Sequence, residues 1–189
     1  MGFLTLSGSF LKVNALFPVV LGGVFLAIKS YLASPLSDQL VAAYPVPVDQ
    51  VPVFSAVLMA FYAFFSGIIA IMVTAAITNH MDNNTPRITR GPDLIKVSPV
   101  AYRFMCVHNN SIEVVVYMIP CYWAALALKL DPLLFAKLSA LLPPARALYS
   151  VFYVVDNDVL RSTSFVFQSE SIFLIGFASM FPSVKALLA

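Results

Sequence analysis

Five polar residues in one apolar stretch carry the chemistry of this chain. Arg103, Cys106, Asn110, Glu113 and Tyr117 follow each other at spacings of three, four, three and four. At about 100° per residue that rhythm sets them on a single stripe of a helix. A second apolar stretch repeats the pattern with Arg146, Tyr149, Ser150 and Tyr153, and a third begins with Arg161, followed by Ser164, Phe165 and Gln168 on one face. Ionisable groups in such surroundings are costly and mark function or helix pairing. Two readings follow. Glu113 pairs with Arg103 or Arg146 and locks the helices together. Alternatively, three arginines set against one acid leave a positive site for an anion, and a guanidinium suits a carboxylate.

These stripes need elements to hold them. Of the 189 residues, 60% are hydrophobic and 11% charged, and mean hydropathy is +0.89. A soluble domain is nearer about half apolar and about a quarter charged, and one this small leaves much of its surface exposed. The composition therefore predicts an all-α integral membrane protein in the lipid bilayer. Four apolar stretches, Val53–Ile77, Val100–Leu128, Leu133–Val155 and Phe165–Phe181, meet or approach the roughly 20 residues of a membrane-crossing helix; the last does so more comfortably if it starts at Arg161. Strands of a membrane barrel would be about half as long and alternate in polarity. The polar stripes must then face other helices or a wet cavity.

Ala15–Ala33 is also apolar, with Lys12 and Lys29 near its ends. It reads as a fifth crossing, as an interfacial or partner-bound helix, or as a targeting segment. Ser34–Pro52 holds four prolines, which favour extended or turning backbone. It has no Lys or Arg, whereas His80–Pro99 has Arg87, Arg90 and Lys96. That difference places His80–Pro99 on the cytoplasmic or equivalent side; Lys129, Lys137 and Lys185 argue the other way. The chain divides into an N-terminal hydrophobic segment and Pro-rich linker, 1–52, and a four-helix domain, 53–189.

The pattern also excludes. Without a basic run, nucleic acid is not indicated. Cys106 and Cys121 are fifteen positions apart, a rise of about 22 Å on one helix, beyond a disulfide. No zinc spacing is present, and no metal is expected. A transporter would need more helices and paired broken ones. His108 lies roughly opposite the polar stripe and reads as a packing or hydrogen-bonding residue. Glu170 is about 180° around its helix from Arg161 and faces another partner or lipid headgroups.

Taken together, Arg103-Phe104-Met105-Cys106-Val107-His108-Asn109-Asn110-Ser111-Ile112-Glu113 resembles the signature of the MAPEG family (membrane-associated proteins in eicosanoid and glutathione metabolism). There an arginine precedes a His-x-Asn-x-x-Glu block on the second helix. Asn84-Thr85-Pro86-Arg87 is similar to the turn before that helix. Arg146 with Tyr153, and Arg161-Ser162, match the third helix and the start of the fourth. The likeness runs from about Val53 to the C-terminus, with Met1–Pro52 an addition.

The resemblance implies a four-helix membrane bundle that assembles as a homotrimer, in the endoplasmic reticulum or an organelle such as the mitochondrion. Glutathione would lie between neighbouring subunits, bound by Arg103, Asn110, Glu113, Arg146 and Tyr153, with Arg161 and Ser162 beside its sulfur. Keeping a thiol of pKa about 8.5 as thiolate at neutral pH takes about 3 kcal/mol, which an arginine in a low-dielectric site can supply. The implied activity is a glutathione-dependent transferase or peroxidase acting on a lipophilic electrophile. Three departures point elsewhere. Cys106 and Asn109 stand where arginine is common, and Phe165 stands where several members have a tyrosine. They fit a non-catalytic lipid-binding adaptor, or an accessory subunit that docks other subunits through residues 1–52.

Overall fold

The computed structural model describes residues 21–78 and 94–188, and among them every regular element is helical. In chain order these are α1 (Leu21–Leu32), α2 (Pro35–Ala42), a 3-10 turn (Val48–Gln50), α3 (Val51–Thr78), α4 (Leu94–Val97), α5 (Pro99–Ala127), α6 (Pro132–Ala140), α7 (Leu142–Val154), α8 (Asp158–Met180) and α9 (Pro182–Leu188). Helices α3, α5, α6–α7 and α8 are the four expected apolar stretches. Ala15–Val20 and most of His80–Pro99 lie outside the described residues.

Length and composition explain the two central helices. Helix α3 has 28 residues and α5 has 29, which at about 1.5 Å each exceeds the roughly 30 Å hydrocarbon thickness. Val48–Ile77 and Pro99–Ala127 are each long and apolar enough to cross a membrane unaided. Ser98 caps α5 by accepting from Ala101 N, with Pro99 at the first helical position. Helix α3 packs along α5, and α8 packs against both α5 and α7. Met59, Val114, Leu138, Leu142, Ile172 and Ile175 form the buried centre. Phe61, Phe64 and Met72 project outward from α3, as a lipid-facing surface would.

Two glycines allow the close approaches. A Cβ on Gly67 would lie 2.7 Å from Cε1 of His108, and one on Gly176 would lie 3.1 Å from Sγ of Cys121. The first contact seats the His108 ring on α3, where Nδ1 meets the Ala63 carbonyl oxygen at 3.0 Å. His108 is thus the hydrogen-bonding residue its position suggests. Cys106 and Cys121 are both free thiols.

Three expectations need correction. The third stretch is not one straight helix. Pro143 and Pro144 have no N–H, so the carbonyls of Ser139 and Ala140 lose their usual donors four residues on. Leu141, at φ −68° and ψ −27°, stays helical, so the chain bends there and continues. Both carbonyls find hydroxyls elsewhere: Ser55 donates to Ser139 O at 2.6 Å, and Tyr44 donates to Ala140 O at 3.0 Å.

The Pro-rich linker is not all extended. Pro35 starts α2, where its missing N–H is no loss. The fourth stretch starts earlier than Phe165, at Asp158, with Asn157 capping Leu160 N.

The N-terminal segment is bound to the bend. Tyr31 donates to Lys137 O at 3.2 Å, and Lys137 donates to Leu32 O at 3.3 Å and pairs with Asp38 at 2.8 Å. Val24 and Ile28 join the main core. Burial pushes the Tyr44 hydroxyl up from its ordinary value. Leu21–Pro52 therefore rests on α6 and the core of the same chain, rather than standing clear of it.

Candidate functional site

Helix α5 turns two faces to its neighbours. Val107, Ser111, Val114, Met118, Tyr122 and Ala125 are buried and form its core stripe. Arg103, Cys106, Asn110, Glu113 and Tyr117 lie one residue aside, a rotation of about 100°. They line the flank beside α7 and α8 instead of the centre. Asn110 donates to the Tyr149 hydroxyl at 2.5 Å, and Tyr117 shares a 3.0 Å hydrogen bond with Ser169. Glu113 is exposed on the single chain, and no ion pair among the described residues includes it. It does not lock the helices by pairing with Arg103 or Arg146.

Arg146 is the residue that goes inside. It is 0% exposed, the largest side chain so buried. Its Nε and Nη2 donate to Ser111 Oγ at 3.1 and 2.6 Å, and Nη2 also donates to Val107 O at 2.9 Å. The guanidinium carbon sits 4.3 Å from the Tyr149 ring centre. Nη1 is buried with no hydrogen-bond partner. The guanidinium thus bonds to neutral oxygens and a ring face, and no carboxylate is in contact with it; Glu113 acts on it only through space. That arrangement favours the arrival of an anion, because an uncompensated buried charge is expensive.

The other two arginines stand at the rim, each with an acid. Arg103 pairs with Asp156 and donates to Val154 O at 3.3 Å. Arg161 pairs with Asp158 at 2.8 Å, three residues earlier, and lies 4.7 Å from the Tyr153 ring centre. The turn that orients Asp156 requires a positive φ of 63° at that residue. The Tyr153 ring packs at a tilt against Tyr149, centroids 5.5 Å apart, and Phe165 does the same at 6.0 Å. Cys106 sits beside Tyr102 and Tyr153. Ser162 is exposed next to Arg161.

The structure therefore brings Asn110, Arg146, Tyr149, Tyr153 and Arg161 into one connected cluster, with Arg103 at its edge. Glu113 is exposed; it acts on Arg146 and Tyr117 through space but is paired with neither. Of the three arginines only Arg146 is fully buried. Ser111, Asp156 and Asp158 were not identifiable as partners from spacing. Ser111 falls within the signature block but off the polar stripe, and Asp156 and Asp158 lie outside the apolar stretches that carry the stripes.

Below the cluster an apolar groove of about 550 Å³ runs between α5 and α8. Tyr117 and Phe165 line it, and Phe165 also packs against Tyr149 of the cluster. Among the described residues no group of three or more His, Cys, Asp or Glu is placed to hold a metal.

No curated protein and no solved structure matches the chain. The model of the MAPEG family matches residues 51–181. That range starts at the first residue of α3, ends just past α8, and holds every residue of the cluster. Four-helix architecture, apolar membrane-crossing helices and this match agree: the chain is an integral membrane protein, and it belongs to the MAPEG family.

Proposed function

We propose that the cluster binds glutathione and serves a membrane-embedded transferase or peroxidase whose electrophile arrives from the bilayer. One observation carries this reading: Arg146 is fully buried, has no acidic partner and leaves Nη1 unused. A glutathione carboxylate supplies the missing charge and acceptor. Asn110 and Tyr149 add polar groups beside it, Tyr153 borders it, and Arg161 with Ser162 lies at the end open to the thiol. Arg103 assists from the rim. Glu113, facing outward, meets the ligand's amino group only if a second subunit closes the site, which is how a homotrimer supports this reading. A carboxylate facing lipid is unfavourable, so a subunit contact there also relieves Glu113. Native mass spectrometry of the gently solubilised protein checks assembly, and a stable lone monomer contradicts it.

A second reading has its own support. Arg103 and Arg161 are already matched by Asp156 and Asp158, and Phe165 brings no hydroxyl to Tyr149's side of the site. Both facts suit a non-catalytic adaptor or accessory subunit that keeps the family's bundle without its turnover. Residues 1–52 would contribute to docking, those from Leu21 on through the surface left free by their contacts with α6. The membrane would be that of the endoplasmic reticulum or an organelle.

Titration of purified protein with glutathione, following thiolate absorbance, separates the two. The enzyme reading expects a thiolate signal, turnover of a generic electrophile, and loss of both signal and turnover in Arg161→Ala with binding largely kept. Neither binding nor signal at millimolar glutathione transfers support to the accessory reading. Unchanged turnover in Arg161→Ala removes Arg161 from its assigned role.

A further inference from the structure

The bundle has a pocket at the end opposite Arg103 and Arg161, where α5 and α8 finish and α6 and α9 begin. This pocket of about 260 Å³ is walled by Leu32, Leu134 and Leu188 and carries Asp131, Lys137 and Lys185. Leu32 and Leu188 are buried and belong to the main core, so its floor is held in place. Leu32 comes from α1, and Lys185 and Leu188 from α9. Those three positions fall outside the family match at 51–181. The pocket is therefore built in part from segments that the shared bundle does not include.

Its three charges stand differently. Lys137 is already answered, since Nζ pairs with Asp38 at 2.8 Å and donates to Leu32 O at 3.3 Å. Asp131 uses Oδ1 to accept from Leu134 N at 2.9 Å and so caps α6. Neither Asp131 nor Lys185 is in an ion pair among the described residues, although both border one cavity. The pocket thus presents an unmatched cation and an unmatched anion that do not meet each other. A lone anion satisfies Lys185 but is repelled by Asp131, and a lone cation the reverse. A zwitterion with separated charges meets both. Helix α5, long and apolar enough to cross the membrane, ends at Ala127 just before Asp131. The pocket therefore lies at the bilayer boundary, the level of phospholipid head groups.

We infer that this pocket binds the head of an ethanolamine phospholipid, its phosphate at Lys185 and its ammonium at Asp131, with the glycerol and first acyl carbons against Leu134. The volume is below the roughly 300–1,000 Å³ of sites that enclose a whole small molecule, which suits a head group whose chains stay in the bilayer. An ethanolamine nitrogen brings both charge and N–H donors to the carboxylate. A choline nitrogen brings charge without donors, and a glycerol head brings no cation. The ethanolamine lipid therefore binds ahead of both. Nothing is required at Arg146, so this inference stands apart from the glutathione reading.

The test uses the full chain, delipidated in mild detergent and without glutathione. It is titrated with phosphatidylethanolamine, phosphatidylcholine and phosphatidylglycerol of identical acyl chains, and bound lipid is read by native mass spectrometry. Identical chains cancel nonspecific binding to the apolar belt in the affinity ratio. The ethanolamine lipid should bind about fivefold more tightly than the choline lipid, the scale of one exposed charged contact. Asp131→Asn keeps the α6 cap, since Asn caps as well as Asp, and should bring that ratio close to one. Lys185→Gln, on the exposed side of α9, should weaken the ethanolamine and choline lipids alike, and it serves where the Asn variant does not fold. Glycerophosphoethanolamine, the same head without chains, should compete poorly. Equal affinity for ethanolamine and choline lipids in the wild type overturns the inference. So does a preference that survives in Asp131→Asn, or unchanged affinity for every lipid in Lys185→Gln. Full competition by glycerophosphoethanolamine overturns the lipid assignment and gives the pocket to a soluble phosphate ester.

Discussion

At the rim of the bundle Arg103 and Arg161 each meet an aspartate, whereas Arg146 in the interior meets two neutral oxygens and a tyrosine ring. The residue type is the same and the consequence is opposite. The rim pairs are partly wet: the side chains of Arg103 and Asp156 are 25% and 58% exposed. Water and salt already screen such charges, so their pairing contributes little. Inside, water cannot do this, and the charge keeps its demand for an anion. The number of arginines in a sequence is thus a poor measure of anion-binding capacity. What counts is which of them lack both solvent and an acid.

That contrast can be broken from the inside first. Arg146→Met removes the interior cation while keeping the side chain long and apolar. Glutathione affinity should fall by about 10²-fold or more, as when one partner of a desolvated charged contact is lost. Stability to detergent or heat should hold or rise, because replacing a buried ion with an apolar group of like size is often neutral or stabilising. Unchanged affinity in calorimetric titration would show that the interior charge serves packing alone.

A smaller effect tests whether the bend that carries Arg146 depends on its satisfied carbonyls. Ser55→Ala leaves Ser139 O buried without its donor from α3. Thermal unfolding should show a loss of about 1–3 kcal/mol, with little change in α5–α8 contacts and hence in the rim. A cost near zero would mean that other groups move in to serve this carbonyl.

The smallest effect belongs to the rim. Asp156→Asn frees Arg103 from its acid, and stability should change by less than about 1 kcal/mol. Affinity for anions should rise slightly, and the gain should vanish at high ionic strength because a partly exposed charge is screened. A large, salt-independent change in binding would place Arg103 among the interior groups after all.

Much of this protein was legible in one dimension. Apolar runs of more than about 20 residues in Val53–Ile77 and Val100–Leu128 admit few structures other than long helices in lipid. The three-four rhythm from Arg103 to Tyr117 did identify a single face, and the Arg103–Glu113 block with Arg146 and Arg161 did identify the family. The caps are local chemistry too: Ser98 and Asn157 precede helices and accept from their first turns.

What sequence spacing left open was rotation and partnership. A repeat of 3.6 residues sets angles between side chains on one helix, but not the angle at which that helix meets its neighbours. Packing decided that Ser111 faces the centre, and so Glu113 faces out while Arg146 takes Ser111 as its partner. The same holds for the double proline. Its sequence announces two freed carbonyls, but only the fold brings Ser55, 84 residues away, and Tyr44, 96 away, to receive them. The end pocket is the last case: Asp131 and Lys185 are far apart in the sequence, and only the fold sets them on one cavity. Contacts between distant segments depend on how whole surfaces fit, and no local pattern encodes that fit.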